Sequence, residues 1–466
     1  MTPVFKTMKN CRTGPTAMDN LHYHNIADPN AASSLAKRTH NRHHQTQSEL
    51  PDALENTLSN LIDSVNVAVS ALEGPLSEML CSKLGHDSKL PDTRYSSLAS
   101  RAVDVMHQAQ ILLEPPSIIL ADHFLGYVGT KCLNAAVERG IPDLLEREGA
   151  MPLQRLAEES RCCPDRLGQV LRILCGNGVF RYDEAHDQYS NNHISRLLLS
   201  DHWTQWHNWV QLYGNQMYDV ARGIPEAVRK DATKSAAQIN YSTDLNMFQY
   251  FQQQGWGQLL HRTLSGGAEA QAPGIVEDYP WDKIDLAEGE VIMDLGGGGG
   301  GLIASILRRH EHLRGGIMDR PQVIEHARSV FHAEGGAYVD VGDRVSSDHL
   351  IIGDFLKEVP PFTVYTMKWC LHDWKDEEAV IILKNIRRAL VKGPMSRLVV
   401  LESILEDGHS QRIARYADVH MMMMTGHGLE RTEKNWHNLA EQSGWKIRAI
   451  YNLRNAWVKA LEFVPN

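Results

Sequence analysis

The sequence lacks the features that mark membrane, secreted and nucleic-acid-binding proteins. No uninterrupted apolar stretch in its 466 residues reaches the roughly 18 residues that a membrane-spanning helix needs. The first 50 residues have no apolar block of the kind found in secretory signals. Positive charge is in deficit, since 47 Lys and Arg residues stand against 57 Asp and Glu residues and the net charge is −10. These absences predict a cytoplasmic protein that binds neither a membrane nor nucleic acid.

Cysteine is scarce as well. The seven cysteines are an odd number, and they show no paired spacing of the kind that binds metals. We therefore expect reduced thiols and no metal site.

Residues 1–50 are polar and have almost no apolar periodicity, so we expect a disordered tail there.

Residues 51–200 have the periodicity of a helical domain. Apolar residues recur every three or four positions from Leu54 to Leu72, which predicts an amphipathic helix that ends before Gly74-Pro75. Further helices are predicted near 96–113 and 121–138.

Two short helices, 153–159 and 165–175, then precede a hairpin over 179–190, and this order is typical of a winged helix. Residues 151–190 contain five Arg against six Asp or Glu, so a role in dimer contact is favoured over DNA binding.

Residues 201–285 are predicted to be helical and are rich in aromatic side chains. Two interpretations remain open, because aromatic residues on helices can wall a flat apolar substrate or pack in the core. The residues concerned are Trp203, Trp206, Trp209, Tyr213, Tyr218, Phe248, Tyr250, Phe251 and Trp256.

From residue 286 to 466 short apolar runs alternate with helical stretches. Strands are predicted at 291–293, 316–318, 350–352, 364–367 and 398–401, and helices at 301–309, 321–332 and 377–390. This alternation is typical of an α/β fold with a doubly wound, Rossmann-like parallel sheet.

Six consecutive glycines, 296–301, follow the first of these strands. A turn without side chains lets the backbone lie against a nucleoside ligand at the carboxyl edge of the sheet. About 20 residues further on, Asp319 ends the second strand, where a carboxylate can accept hydrogen bonds from ribose hydroxyls. These two features fit NAD and S-adenosylmethionine equally well.

The blocks 353–355 and 368–374, downstream of Asp319, separate the two cofactors, and they belong to a set of six blocks that occur in order. At these blocks the chain resembles the S-adenosylmethionine-dependent O-methyltransferases of the caffeic-acid and fungal polyketide (sterigmatocystin) type, from about Phe124 to the C-terminus. The blocks are 294–298 (DLGGG), 319–324 (DRPQVI), 353–355 (GDF), 368–374 (KWCLHDW), Glu402 and 430–433 (ERTE).

The resemblance implies a class I methyltransferase fold with an N-terminal helical dimerisation domain, and hence a homodimer. It implies that S-adenosylmethionine is bound by Gly296, Gly297, Gly298, Asp319, Arg320, Asp354, Phe355 and Lys368. It also implies that His372 is the general base and that Glu402 and Glu430 orient it. The acceptor would be a phenolic hydroxyl of an aromatic secondary metabolite.

Two other functions stay open. Proteins of this fold can retain the cofactor and catalyse a cyclisation or pericyclic rearrangement, although His372 together with both glutamates favours methyl transfer. A noncatalytic winged-helix regulator is disfavoured by the balanced charge of residues 151–190. Two interpretations each stay open for two local features. The run 421–424 of methionines fits a pocket wall or core packing, and Asp373 fits orientation of the substrate or capping of the next helix.

Overall fold

The structure is a computed structural model that describes residues 50–85 and 89–466. Residues 50–77 belong to one compact unit, and residues 78–85 and 89–466 to a second. The first contains helix α1 (Leu50–Glu73), which ends before Gly74 as predicted and leaves Leu54, Ile62 and Val67 exposed. The predicted tail, apart from Leu50, lies outside the described residues. The predicted domain boundaries at 200/201 and 285/286 stay predictions, because the division between the two units falls elsewhere, after Ser77, and does not test them.

The second unit begins with helices and a short hairpin. Their bounds are α2 Ser77–Leu84, α3 Thr93–Leu113, α4 Pro116–Glu138, α5 Ile141–Glu148, α6 Leu153–Glu159, α7 Pro164–Gly176, β1 Phe180–Asp183 and β2 Gln188–Asn191. Helix α4 begins five residues before its predicted start, because Pro116 takes the first helical position, where a missing N–H costs nothing. Strands β1 and β2 pair antiparallel, so the predicted hairpin is confirmed. The winged-helix interpretation of α6 to β2 stays a prediction.

No single helix in the described ranges has the length and apolar composition of a membrane span. Helices α3 and α4 meet that test only as a pair, and they are bent by 116° relative to each other.

A helical layer follows, as predicted for residues 201–285. Its helices are α8 Trp206–Gly214, α9 Gln216–Val220, α10 Ile224–Ala227, α11 Ala236–Asn240, α12 Met247–Gln253 and α13 Gly257–Asp278. The aromatic residues of this layer divide between the core and a cavity, and a role in binding a substrate stays a prediction. Phe251 and Trp256 belong to an apolar core, whereas Trp209 and Tyr213 line a cavity.

The C-terminal half forms a seven-stranded sheet in the order β10-β11-β7-β6-β3-β4-β5. Its elements are β3 Ile292–Leu295, α14 Gly301–Arg309, β4 Gly315–Asp319, α15 Pro321–His332, β5 Leu350–Ile352, β6 Val364–Lys368, α16 Asp376–Ala389, β7 Arg397–Glu402, β8 Ile404–Leu405, α17 Arg412–Met424, β9 Arg431–Thr432, α18 Glu433–Gln442, β10 Trp445–Asn452 and β11 Lys459–Pro465. Strands β3 to β7 are parallel to one another, which confirms the predicted sheet. The antiparallel hairpin β10–β11 at the edge was not predicted.

This topology determines where ligands can bind. Strands β3, β4, β5, β6 and β7 are parallel, so their carboxyl ends lie along one edge of the sheet. The last residues of β4, β6 and β7 are Asp319, Lys368 and Glu402, and Gly353-Asp354 directly follows β5. Residues that are far apart in sequence are thereby brought to one edge.

Candidate active site

A large cavity opens at the carboxyl edge of the sheet. Its volume is about 3360 Å³, several times the roughly 300–1,000 Å³ of a usual small-molecule pocket. Its lining includes every residue that the sequence predicts for the cofactor, together with His372 and Glu430. Glu402 does not line it and is fully buried behind His372. The volume leaves room for a cofactor and a second ligand side by side.

The first two glycines of the loop after β3 have no space for side chains. Gly296 adopts a φ of +70°, and a Cβ atom there would lie 2.6 Å from Cys370 Sγ. A Cβ atom at Gly297 would lie 2.7 Å from Asp294 Oδ2. The loop backbone therefore faces the cavity directly, which is the arrangement that a nucleoside ligand requires.

Asp319 holds this loop from the end of the neighbouring strand. Its Oδ2 accepts a hydrogen bond from the Gly298 N–H at 3.0 Å, and its Oδ1 accepts one from the Arg320 N–H at 2.7 Å. Each carboxylate oxygen keeps a further lone pair, so both can also accept from ligand hydroxyls. Asp354 and Phe355 line the same part of the cavity.

The buried Asp294 and the partly buried Lys368 lie near the loop and line the same cavity. Burial raises the pKa of Asp294, and burial lowers the pKa of Lys368, although each opposes the shift of the other. Within the described chain, the buried Asp294 Oδ1 has no hydrogen-bond partner. An orphaned acceptor, a loop without side chains and the Asp319 carboxylate together fit the amino-acid and ribose groups of S-adenosylmethionine.

His372 lies in the single turn that follows β6, between two buried glutamates. Its Nδ1 is 3.0 Å from Glu430 Oε1 and 3.5 Å from Glu402 Oε2. The other ring nitrogen, Nε2, has no hydrogen-bond partner in the described chain, and Asp373 Oδ1 lies 3.9 Å away. Nδ1 therefore carries the proton that Glu430 accepts, and Nε2 is free to act on a ligand in the cavity.

The surroundings of His372 change its pKa in opposing directions. Burial lowers the pKa, but attraction to Glu402 and the hydrogen bond with Glu430 outweigh it and raise the pKa of His372 to about 10. Burial also raises the pKa of Glu402 above its ordinary value. The carboxylates thus make His372 a stronger base than a free imidazole.

The turn that carries His372 is held from two sides. Trp369 has a φ of +51°, a strained value for a bulky residue. From below, Glu402 Oε1 accepts hydrogen bonds from the N–H groups of Cys370 at 2.9 Å and Leu371 at 2.8 Å.

From the other side, the fully buried Arg431 donates to the carbonyl oxygens of Leu371 at 2.9 Å and Trp374 at 2.8 Å. This role of Arg431 was not predicted from the sequence. Its place directly after Glu430 was the one signal that could have indicated it.

Two undecided local roles are settled by the structure. Asp373 does not cap α16, because Lys375 is the N-cap residue, and Asp373 lines the cavity instead. The methionine run divides between the two alternatives. Met421 and Met424 line the cavity, whereas Met423 is buried in the apolar core of the helical layer.

One group of side chains among the described residues has the spacing of metal ligands. It is again His372, Glu402 and Glu430, whose donor atoms lie within 4.8 Å of one another. Nδ1 and Glu430 already satisfy each other by a hydrogen bond. The expectation of no metal site stays a prediction.

Comparison with known proteins identifies the family. Residues 268–446 match the O-methyltransferase domain, and residues 121–201 match the O-methyltransferase dimerisation domain. The chain is 50% identical to O-methyltransferase aclM of Aspergillus oryzae, over 90% of this chain and 97% of that protein. It is 46% identical to O-methyltransferase verK of Clonostachys rogersoniana, over 88% of this chain and 100% of that protein.

A solved structure supports the same fold. CalO1, a methyltransferase in calicheamicin biosynthesis crystallised with S-adenosylhomocysteine, superimposes with a TM-score of 0.64 at 23% identity, over 75% of this chain and 98% of CalO1. The fold that the sequence predicts is therefore confirmed, and so is its cofactor class. The chain belongs to the family of S-adenosylmethionine-dependent O-methyltransferases.

Proposed function

We propose that the chain methylates a phenolic hydroxyl of an aromatic secondary metabolite and that His372 is the general base. One observation carries this proposal: His372 Nδ1 is 3.0 Å from Glu430 Oε1, while Nε2 has no partner in the described chain. A histidine arranged in this way has its tautomer fixed and its second nitrogen free to accept a proton.

The residues around the glycine loop would hold the cofactor. Gly296, Gly297 and Gly298 supply backbone without side chains, and Asp319 would accept from the ribose. Arg320, Asp354, Phe355 and Lys368 line the same region. When bound, S-adenosylmethionine supplies a methyl group already activated on a positively charged sulfur. The protein must then align an acceptor oxygen and remove its proton.

The pKa of His372 suits a phenolic acceptor. A phenol has a pKa near 10 and a free imidazole near 6.5. The glutamates raise the pKa of His372 above that of a free imidazole, so His372 takes a proton from a phenol more readily than a free imidazole would. An aliphatic alcohol has a far higher pKa and would give up its proton much less readily. Glu402 and Glu430 stabilise the imidazolium that forms, as the third member of a catalytic triad does.

The aromatic part of the cavity lining supports an aromatic acceptor. Trp206, Trp209, Tyr213 and Trp457 line it, with neighbouring ring centroids 5.2 to 5.7 Å apart. Rings at this spacing stack favourably with a further aromatic ring.

The first test measures cofactor binding and methyl transfer together. We expect isothermal titration calorimetry to detect S-adenosylmethionine and S-adenosylhomocysteine at micromolar dissociation constants, because the loop and Asp319 lie where nucleosides dock. Incubation with a panel of phenols should transfer labelled methyl to oxygen. Heat with NAD but with neither sulfur ligand would refute cofactor binding. Cofactor binding without transfer to any phenol would favour a cofactor-retaining cyclase.

We also propose that the protein is a homodimer. The chain contains the O-methyltransferase dimerisation domain, and helices α3 and α4 expose large apolar side chains. Leu112 is 84% exposed and Phe124 is 66% exposed, which is more than a monomer usually leaves open on adjoining helices. Light scattering at micromolar concentration should give twice the chain mass. A monomer under those conditions would contradict this proposal.

A further inference from the structure

A ladder of aromatic rings runs along one wall of the cavity. Trp209 stacks on Tyr213 with ring centroids 5.3 Å apart, and Tyr213 stacks on His420 at 5.2 Å. Trp206 and Trp457 extend the ladder beyond Trp209. The ring of Tyr213 is thus held between two others, which fixes the direction of its hydroxyl group.

The ladder ends in two polar groups that face the cavity. Tyr213 Oη lies 3.4 Å from His420 Nε2, although the two residues are 207 positions apart, on α8 and α17. We call Tyr213 and His420 the polar pair. In the described chain neither side chain has another hydrogen-bond partner, and Tyr213 remains 37% exposed. Each keeps hydrogen-bonding capacity that its surroundings do not use.

Both members of the polar pair are neutral at pH 7. Burial lowers the pKa of His420 to about 4, and the positive charge on His372 contributes to this shift. The ordinary pKa of a tyrosine is near 10, so Tyr213 is neutral at pH 7 as well. The pair therefore offers no charge to a carboxylate or phosphate, but it can exchange hydrogen bonds with a hydroxyl or carbonyl group.

The polar pair is supported by the same elements as the base. Helix α17 carries His420 and also Asp418, whose Oδ1 accepts the N–H of Glu430 at 2.9 Å. Glu430 in turn binds His372. This chain of contacts fixes the position of His420 relative to His372, so an acceptor that binds both is held at two points.

We propose that Tyr213 and His420 bind a second neutral polar group of the acceptor, a hydroxyl or carbonyl, and thereby select which hydroxyl reaches His372. This inference rests on the proposed function, because it requires the acceptor to bind between the ladder and the base. It narrows the substrate class to aromatic compounds with at least two oxygen substituents.

The test compares 2,3-dihydroxynaphthalene with 2-naphthol, which differ by one hydroxyl group. Their affinities for the protein saturated with S-adenosylhomocysteine can be measured by quenching of tryptophan fluorescence. We expect the wild type to bind the diol about 10-fold more tightly, since a neutral hydrogen bond contributes roughly 2- to 10-fold in affinity. Tyr213→Phe and His420→Phe should each reduce this ratio about 3-fold or more. The ratio of kcat/KM values should fall in parallel.

The substitutions preserve the ladder while removing its polar atoms. Phe retains the ring in both variants, so stacking on Trp209 and Tyr213 is kept. Tyr182→Phe is the matched control, because its hydroxyl binds Asp187 at 2.8 Å in the β1–β2 hairpin, outside the cavity lining. Its affinity ratio should equal that of the wild type. Circular dichroism and the melting temperature verify folding of all three variants.

The possible outcomes separate this inference from the proposed function. An unchanged ratio in both Tyr213→Phe and His420→Phe would overturn it, as would a wild type that binds neither probe or binds them equally. A preference that depends on the polar pair, without any methyl transfer, would uphold it and refute the phenolic methyltransferase. Methyl transfer to a phenol without such a preference would uphold the phenolic methyltransferase and refute the role of the polar pair.

Discussion

Replacement of His372 by Ala is expected to lower turnover of a phenolic acceptor at pH 7 by about 100-fold or more, the usual scale for general-base catalysis. Only a small fraction of a phenol with a pKa near 10 is ionised at that pH. Activity of His372→Ala should partly return as pH rises, because the substrate then supplies its own phenolate. Cofactor affinity should be unchanged, since the glycine loop and Asp319 are not altered.

The glutamate beside the base gives a graded comparison. Glu430→Gln should lose less activity than His372→Ala, because the imidazole remains. Glu430 raises the pKa of His372, so removing its charge should lower that pKa and shift the midpoint of the kcat/KM profile downwards. The expected shift is about 1 to 2 pH units, since a charged hydrogen bond contributes roughly 1.5–3 kcal/mol and one pH unit is about 1.4 kcal/mol.

Turnover against pH for both variants, with calorimetry of the cofactor, tests these expectations. His437→Ala is a suitable control, because that side chain is 51% exposed on α18 and does not line the cavity. Near wild-type turnover of His372→Ala at pH 7 would show that proton removal is not its task. Proximity alone, or a pericyclic reaction, would then be the better explanation.

Much of the site could be predicted because it depends on local signals at the ends of strands. The glycine run follows a short apolar strand, and Asp319 ends the next one, so both lie at the carboxyl edge of any parallel sheet. The strand that carries Lys368 and the helix after His372 were found within one residue at each end. In each case the spacing of apolar residues alone is enough to predict where the strand or helix begins and ends, and hence where the site residue lies.

Other contacts could not be predicted, because no local pattern expresses them. Tyr213 and His420 meet across 207 residues, and each sits on a helix whose apolar period is explained equally well by core packing. The hairpin β10–β11 alternates polar and apolar residues only weakly, since Ala460, Leu461, Glu462 and Phe463 are all buried. Glu462 is buried because Tyr279 donates to it at 2.7 Å and Arg397 at 3.0 Å. Such partners depend on tertiary structure.

Asp319→Ala is expected to weaken binding of S-adenosylmethionine by about 100-fold. Two hydrogen bonds from ribose hydroxyls to a charged acceptor contribute roughly 1.5–3 kcal/mol each, and a factor of 100 corresponds to about 2.7 kcal/mol. The substitution also removes the acceptor of the Gly298 and Arg320 N–H groups, so the loop itself loses support. Calorimetry with the cofactor and with S-adenosylhomocysteine measures the loss directly, without any acceptor present.

A comparison of substitutions separates these two effects of Asp319. Asp319→Asn keeps the size of the side chain and one acceptor oxygen but places an NH₂ group towards one of the two N–H donors, so we expect an intermediate loss of affinity. Asp282→Ala, at an exposed carboxylate outside the cavity lining, should bind as the wild type does. If Asp319→Ala binds both ligands within about 3-fold of the wild type, the ribose lies elsewhere in the cavity. The carboxylate would then serve only to shape the loop, and the orphaned Asp294 would be the next position to test.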